Sequence, residues 1–221
     1  MLQSIIDIGS NTIRLAIYQI EAGRVELLLK KKQTVGLAAY IKDGVMQPEG
    51  IAQAAAALQD FTAFLQEIGL PLTAAFATAA LRNAVNREEA LAAINTRTGL
   101  AIRVLSGTEE AELGFIGATH DLAAPAGLMA DIGGGSTEII SYTCHEMTGR
   151  WSALLGSLAL SKAHVAGLLP RAEECAAIRA AVQEILAGTP EVRALRAAHI
   201  VGMGGVLSSA SRMHALLYPE E

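Results

Sequence analysis

Two short stretches decide the fold of this chain: Asp7-Ile8-Gly9-Ser10-Asn11-Thr12 near its start and Asp131-Ile132-Gly133-Gly134-Gly135-Ser136-Thr137 in its second half. Each stretch places an acid at the end of an apolar, strand-like run and continues through a tight turn into a returning strand. The two stretches look like two copies of one unit near the start of each half of the chain. We therefore expect a duplicated α/β fold with a cleft between the copies.

Strand and helix patterns alternate through the first half of the chain. They predict, in order, strands over 4–8, 12–20 and 24–32, a helix over 48–68, a strand over 72–78, a helix over 86–99 and a strand over 101–105. Asn86, followed three residues later by Glu89, predicts a capping box for the second helix. A further helix is expected from Ser106 to about residue 121, so we place the first domain at 1–122.

The second domain is expected over 123–221, after a linker at Ala123-Ala124-Pro125-Ala126-Gly127. Its pattern repeats the beginning of the first domain, with the glycine turn followed by a returning strand. The predicted elements are strands over 128–132, 136–142 and 151–154, helices after Gly156 and over 171–187, a strand over 199–201 and a loop over 202–205.

Composition narrows the class of protein. The 221 residues carry a net charge of -5, which argues against non-specific binding to nucleic acid or to an anionic membrane surface. The apolar residues form no run long enough to cross a bilayer, and the N-terminus lacks the pattern of a signal peptide. Cys144 and Cys175 have no metal-site or disulfide spacing, so we expect a cytoplasmic protein. The run Lys30-Lys31-Lys32 is equally well explained as a solvated strand end or as a steering patch for an anion.

The two glycine turns have the composition of phosphate and metal sites. Asp7 and Asp131 can hold Mg²⁺ directly or through water, and glycines allow the backbone to approach an anion. Hydroxyl groups that can donate to phosphate belong to Ser10, Thr12, Ser136 and Thr137. One such turn would more often be an ordinary hairpin, but two in matching positions favour a binding site.

Charged residues near the turns are candidates for phosphate contacts and proton transfer. Arg14 and Arg82 can bind phosphate oxygens. Arg14 could equally be a surface or edge charge, whereas for Arg82 phosphate binding is favoured over a helix-capping or solvent-facing role. Glu109 lies three residues after Ser106 and fits a capping box, which leaves Glu110 or Glu112 to face a ligand. The five histidines show no metal-ligand spacing.

In sequence order, these motifs resemble the exopolyphosphatase/guanosine pentaphosphate phosphohydrolase family of the actin-like, ribonuclease H-like superfamily. The resemblance covers Asp7 to Thr12 with Arg14, Ala77 to Arg82 with Asn86, Ser106 to Ala111, and Asp131 to Glu138. Gly156-Ser157 and Gly202-Met203-Gly204-Gly205 are weaker matches. The resemblance implies two ribonuclease H-like domains with the active site between them and Mg²⁺-dependent release of terminal phosphate from polyphosphate or guanosine pentaphosphate.

By motif position, the resemblance implies that Glu110 is the general base and that Mg²⁺ lies near Asp7, Asp131 and Glu138. The phosphate ligands that it implies are Ser10, Asn11, Thr12, Arg14, Arg82, Gly133, Gly134, Gly135, Ser136 and Thr137.

Three departures from the family pattern favour an alternative, a binding sensor of a nucleotide or alarmone that does not hydrolyse it. Thr34-Val35-Gly36-Leu37 lacks an arginine that the pattern carries, Val206 replaces a threonine, and the second domain is short. A short second sheet would also expose apolar surface, so a homodimer is expected.

Overall fold

The computed structural model describes residues 1–120, 124–144 and 146–219. They form two compact units, Met1–Ser106 and Gly107–Glu221, and each unit is built on its own mixed β-sheet. The helix after Ser106 packs on strands of the second unit. The division therefore lies at Ser106, whereas the sequence placed it at residue 122.

The first unit contains a five-stranded sheet, two long helices and several short elements. In chain order these are β1 (Leu2–Ile8), β2 (Thr12–Glu21), β3 (Arg24–Thr34), a 3₁₀ turn (Leu37–Tyr40), β4 (Ile41–Lys42), β5 (Val45–Met46), α1 (Pro48–Glu67), β6 (Ala74–Ala77), α2 (Ala79–Arg82), α3 (Arg87–Thr98) and β7 (Ile102–Val104). The strand order is β3-β2-β1-β6-β7, an antiparallel meander extended by two parallel strands. The predicted succession of long elements is confirmed.

One face of this sheet forms the core of the first unit. Alternate residues of β1 and β2, including Ile6 and Leu15, are fully buried and belong to one cluster with Leu58, Phe61 and Leu65 of α1. The helical residues recur every three or four positions, so they form one stripe along α1. Each such side chain stabilises the fold by about 1.5–3 kcal/mol. The residues between the buried ones point to the opposite face of the sheet, which carries Asp7 and Arg14.

The capping box predicted at Asn86 is wrong. Asn86 does precede α3, but its side chain makes no capping hydrogen bond. Its Oδ1 accepts a hydrogen bond from the Met46 backbone N–H at 2.8 Å, and its Nδ2 donates to the Met46 carbonyl at 3.0 Å. The amide thus satisfies both backbone groups of a residue in β5, a pairing between distant parts of the chain that local spacing cannot reveal.

The second unit repeats the beginning of the first. Its elements are α4 (Gly107–Thr119), β8 (Ala126–Ile132), β9 (Thr137–Thr143), β10 (Glu146–Ala153), α5 (Ser157–His164), α6 (Ala172–Ala187), α7 (Pro190–Arg193), β11 (Ile200–Met203) and α8 (Gly204–Leu217). The order β10-β9-β8-β11 matches β3-β2-β1-β6, again with antiparallel pairs followed by a parallel strand. The shared topology agrees with the duplication expected from the two turns.

Two predicted loops of the second unit contain residues that belong to strands or helices. Ala126 and Gly127, assigned to the linker, are the first residues of β8, and Ala123 lies outside the described residues. The loop over 202–205 is divided between the end of β11 and the first turn of α8. Its glycines allow this sharp change, because Gly204 has a φ of 85°. Among the described helices, none combines the length and apolarity needed to cross a bilayer.

Candidate active site

The first turn, Gly9 to Thr12, is closed by its own backbone and held from behind. The Gly9 N–H donates to the Thr12 carbonyl at 3.1 Å. The N–H groups of Val35 and Gly36 both donate to the Asn11 carbonyl, at 3.0 and 2.8 Å. Because the carbonyl and the N–H of one peptide unit point in opposite directions, the Thr12 N–H faces away from this supporting segment. The arrangement can present a backbone donor to an anion.

The second turn, Gly133 to Ser136, has the same construction. The Gly133 N–H donates to the Ser136 carbonyl at 2.9 Å, with the same three-residue spacing as in the first turn. Behind it, the first residues of α5 donate to the carbonyls of Gly133 and Gly134, beginning with the Ser157 N–H at 2.9 Å. The N–H groups of Gly134 and Gly135 therefore face away from α5. Two adjacent N–H groups on one side of a turn are a typical anion-binding arrangement.

Two further glycines of the second unit allow close packing against this turn. A Cβ atom on Gly156 would overlap the Gly134 carbonyl, so the chain entering α5 touches the turn directly. A Cβ atom on Gly204 would lie 2.5 Å from Oδ1 of Asp131. The sequence identified both segments as weaker matches, and the structure places both against the second turn. The N-terminus of α8 thus lies beside the Asp131 carboxylate. The first backbone N–H groups of a helix have no partners within the helix.

The acid of the first turn is paired with an arginine. Asp7 and Arg14 lie opposite each other in the β1–β2 pairing, and Nη1 of Arg14 lies 2.9 Å from Oδ2 of Asp7. Burial raises the pKa of the Asp7 carboxyl, and the charge of Arg14 and its hydrogen bond act in the opposite direction. The two residues were predicted as a metal ligand and a phosphate ligand, respectively. In the structure they bind each other, so the first turn has an internal partner for its carboxylate.

The acid of the second turn faces a second acid instead. Asp131 lies opposite Glu138 in the β8–β9 pairing, at the position that corresponds to Arg14 in the first unit. Directly opposed residues on neighbouring strands have Cβ atoms about 5 Å apart, and like charges there are destabilising. Glu138 is only 2% exposed. The second unit therefore concentrates negative charge in a desolvated place beside backbone N–H donors.

The surroundings of Glu138 favour its protonated form. Burial, followed by the negative charges of Glu110 and Asp131, raises the pKa of Glu138 from 4.5 to about 7. Hydrogen bonds from the side chains of Ser136 and Ser152 oppose the rise, and the Ser152 hydroxyl lies 3.0 Å from Oε1. Ser152 was not singled out from the sequence. It lies opposite Glu138 on β10, and only the register of that strand reveals it.

The donor set near the second turn suits a magnesium ion completed by water and phosphate. Mg²⁺ in phosphate-transfer sites is commonly bound by one or two carboxylates, with water and substrate oxygens filling the other positions. Asp131 and Glu138 provide such a pair, and a cation would relieve their mutual repulsion. Across the described residues, no three His, Cys, Asp or Glu side chains form a ready metal cluster. Asp7, the third predicted ligand, belongs to the other unit and is bound by Arg14.

The structure separates Glu110 from Glu112, which the sequence left as alternatives. Glu112 forms a salt bridge with Arg150 of β10. The charge of Glu110, in contrast, contributes to the raised pKa of Glu138, which places Glu110 near the second turn. Glu112 thus has a structural partner on the sheet surface. Glu110 is the better candidate for a group that faces a ligand.

Three predicted phosphate ligands have structural partners. The Thr137 hydroxyl donates its proton to the Leu155 carbonyl, so this proton is already used in a hydrogen bond within the protein. Ser136 is buried and forms its side-chain hydrogen bond with Glu138. Nη1 of Arg82 donates to the Leu105 carbonyl at 3.3 Å, at the end of β7. A guanidinium has five donors, so this bond orients Arg82 without using its full capacity. Among the predicted groups of the second turn, backbone N–H groups are better placed than hydroxyls to bind an anion.

Comparisons with known proteins agree with this architecture. The structure matches an exopolyphosphatase from Cytophaga hutchinsonii with a TM-score of 0.89 and 25% identity, over 100% of this chain and 72% of that one. A Ppx/GppA family member from Aquifex aeolicus matches with a TM-score of 0.76 and 25% identity, also over 100% and 72% of the two chains. The ethanolamine utilization protein EutJ from Carboxydothermus hydrogenoformans shares the fold, with a TM-score of 0.53 and 17% identity over 100% and 83%.

These likenesses define the fold as that of the actin-like ATPases, with ribonuclease H-like sheets in both units. The family model described as the Ppx/GppA phosphatase family matches residues 16–220, which is nearly the whole chain. It extends over the second turn with Asp131 and Glu138, and over Glu110 of α4. This chain belongs to the Ppx/GppA phosphatase family.

Proposed function

We propose that this chain is a Mg²⁺-dependent phosphohydrolase that releases terminal phosphate from inorganic polyphosphate, from guanosine pentaphosphate, or from both. Membership in a phosphatase family and the likeness to a structure named as an exopolyphosphatase support a hydrolase of this class. One observation carries the proposal: the buried Glu138 lies opposite Asp131, near Glu110, beside the N–H groups of the second turn. A hydrolase of phosphate chains needs this combination of cation-binding and anion-binding groups in one place.

In the proposed mechanism, the second unit binds and orients the reacting phosphoryl group. The N–H groups of Gly134 and Gly135 donate to its oxygens, and they are held in place by α5. Asp131 and Glu138 would hold Mg²⁺, which supplies charge neutralisation for the phosphoryl oxygens when it is bound. Positioning and charge neutralisation carry most of the catalysis, because phosphoryl transfer has a loose transition state.

Glu110 orients the attacking water and accepts its proton. Its carboxylate is one turn into α4, a rigid element whose Ala111 and Phe115 are buried against the sheet of the second unit. The water oxygen bonds to the terminal phosphorus as the bond from that phosphorus to the bridging oxygen breaks, and the bridging oxygen leaves with the shortened chain and carries the negative charge. A general base of this kind contributes about 10²–10⁴-fold to the rate.

Phosphate release with Mg²⁺, from polyphosphate and from guanosine pentaphosphate, tests the proposal. We expect Glu110→Gln to lower kcat by about 10²–10⁴-fold and to leave the affinity for the substrate nearly unchanged. Glu109→Gln is the matched control, since it removes the same charge from the neighbouring position and should change kcat only a few-fold. Equal losses in the two variants would remove Glu110 from the mechanism.

Binding of guanosine pentaphosphate by the wild-type protein, with no phosphate release from either substrate, would favour the sensor instead. The absence of an arginine between Thr34 and Leu37 and the presence of Val206 motivate that alternative. Binding must therefore be measured alongside turnover.

A further inference from the structure

A row of basic side chains lies on one face of the first sheet. The core residues that pack against α1 lie on the other face. In the β2–β3 pairing, Arg14 is opposite Lys32 and Ala16 is opposite Lys30. Arg14 is also opposite Asp7 in the β1–β2 pairing. Opposed residues in a sheet point to the same side, so Arg14, Lys30 and Lys32 share a face with Asp7. We call Arg14, Lys30 and Lys32 the basic row.

The middle lysine of the run Lys30-Lys31-Lys32 lies on the other face. Nζ of Lys31 lies 3.9 Å from the centre of the Phe64 ring, on α1. Lys30, in contrast, lies on the face of Asp7, and its charge opposes the rise in the pKa of the Asp7 carboxyl that burial causes. The strand therefore separates three consecutive lysines into two roles. All three lysines are exposed, but Lys31 contacts Phe64 of the helix, whereas Lys30 and Lys32 lie on the face that carries Asp7.

The basic row begins at the first turn and extends away from it. Thr12 is the last residue of that turn, and it is opposite Thr34 at the end of the pairing. A strand advances about 3.4 Å per residue, so the pair Arg14 and Lys32 lies about 7 Å from this end and Lys30 about 14 Å. Positive charge thus recurs along the strands at regular steps, starting beside the backbone donors of the turn.

We propose that the basic row, together with the first turn, binds a linear inorganic polyphosphate chain, and that it favours long chains over guanosine pentaphosphate. The proposal rests on the proposed function and specifies its substrate class. A polyphosphate presents negative charge at every unit along its length. A nucleotide presents a sugar and a base after a few phosphates, and neither matches exposed lysines. Because Asp7 offsets the charge of Arg14, the attraction comes mainly from Lys30 and Lys32.

The positive charge of the basic row contrasts with the negative net charge of the whole chain. The whole chain has a net charge of -5, so non-specific attraction of a polyanion is disfavoured. Affinity for polyphosphate must therefore come from a place where positive side chains are concentrated. The exposed lysines on the face with Asp7 form such a place and are adjacent to the first turn.

Direct binding of end-labelled, long-chain polyphosphate, measured by fluorescence anisotropy at two salt concentrations, tests the proposal apart from catalysis. We expect the double variant Lys30→Gln and Lys32→Gln to weaken binding about tenfold and to reduce the slope of log affinity against log salt by about 1–2. Lys31→Gln is the matched control in the same run, and it should bind like the wild type. Binding of tripolyphosphate should be unchanged in both, and circular dichroism should show that both are folded.

Each result decides a different question. Wild-type binding that depends on Lys30 and Lys32, without any phosphate release, would support the basic row and refute the proposed hydrolysis. Phosphate release together with unchanged binding by the double variant would refute the basic row and leave the hydrolase intact. Two further results would overturn the proposal: polyphosphate affinity that Lys31→Gln weakens as much as the double variant does, or tripolyphosphate affinity that the double variant weakens equally. Either result would show a general attraction between charges and not binding along the basic row.

Discussion

Replacing Glu138 by glutamine should stabilise the protein at alkaline pH and have little effect at acidic pH. The folded protein holds the pKa of Glu138 at about 7, against an ordinary value of 4.5. Between these values the folded state retains a proton that the unfolded chain has lost, so the free energy of unfolding falls as pH rises. This loss of stability is absent below pH 4.5 and complete above about pH 7. Glutamine carries no charge at any of these pH values, so the variant does not lose stability in this way.

The magnitude follows from the difference between the two pKa values. At about 1.4 kcal/mol per pH unit, the penalty amounts to about 3 kcal/mol above pH 7. Burial of the side chain means that little of this is screened by solvent, since Glu138 is 2% exposed. Glutamine can still accept the hydrogen bond from the Ser152 hydroxyl through its own carbonyl oxygen. The variant should therefore keep nearly the same packing, and most of the increase in the free energy of unfolding at alkaline pH should be observed.

Urea denaturation at pH 5 and at pH 8, in the presence of a chelator, is the assay. We expect Glu138→Gln to exceed the wild type by about 2–3 kcal/mol at pH 8 and by less than about 1 kcal/mol at pH 5. Glu112→Gln is the control, because its salt bridge with Arg150 is partly exposed and should contribute at most about 1 kcal/mol at both pH values. A variant that is less stable than the wild type at pH 8 would refute the reasoning that burial and neighbouring negative charges raise the pKa of Glu138.

Magnesium provides an independent check on the same pair, since a bound cation should raise the stability of the wild type at pH 8 more than that of Glu138→Gln. Gly204→Ala places a Cβ atom 2.5 Å from the Asp131 carboxylate at a φ of 85°, so denaturation should show a loss of about 1–3 kcal/mol or more. Gly205→Ala is its control, because beyond its chain neighbours and its own helix backbone the added group would meet no atom within 4 Å. Gly156→Ala forces the added carbon into the Gly134 carbonyl, so phosphate release should fall sharply in a variant that still folds.

Local sequence rules predicted the turns and the elements around them well. An acid, a glycine turn and a returning strand occur twice, and the turn length fixes which residues face each other across each hairpin. The structure pairs Asp7 with Arg14 and Asp131 with Glu138. The predicted strand bounds would instead pair Asp7 with Ile13 and Asp131 with Thr137, because they make each turn one residue too short. The register that brings the charged residues together therefore could not be obtained from those bounds.

Contacts between distant parts of the chain could not be predicted in this way. Asn86 has the identity and spacing of a helix cap, yet its amide binds a backbone 40 residues earlier. The two faces of the lysine run depend on the register of β3, which contains an irregularity between Ile17 and Tyr18 of its partner strand. The role of Ser152 depends on a third strand, β10. In each case the deciding partner comes from a segment that no local pattern connects to it.

A single difference between the duplicated hairpins explains why the two units should have different roles. Position 14 of the first hairpin and position 138 of the second correspond, and they carry an arginine and a glutamate. In the first unit, the charge of Arg14 opposes the rise in the Asp7 pKa that burial causes, and the same face carries further positive charge. In the second unit, two acids face each other, and a proton or a cation would relieve their repulsion. Exchanging Arg14 for glutamate should thus raise the pKa of the Asp7 carboxyl further, so that urea denaturation shows a larger loss of stability from acidic to alkaline pH than in the wild type.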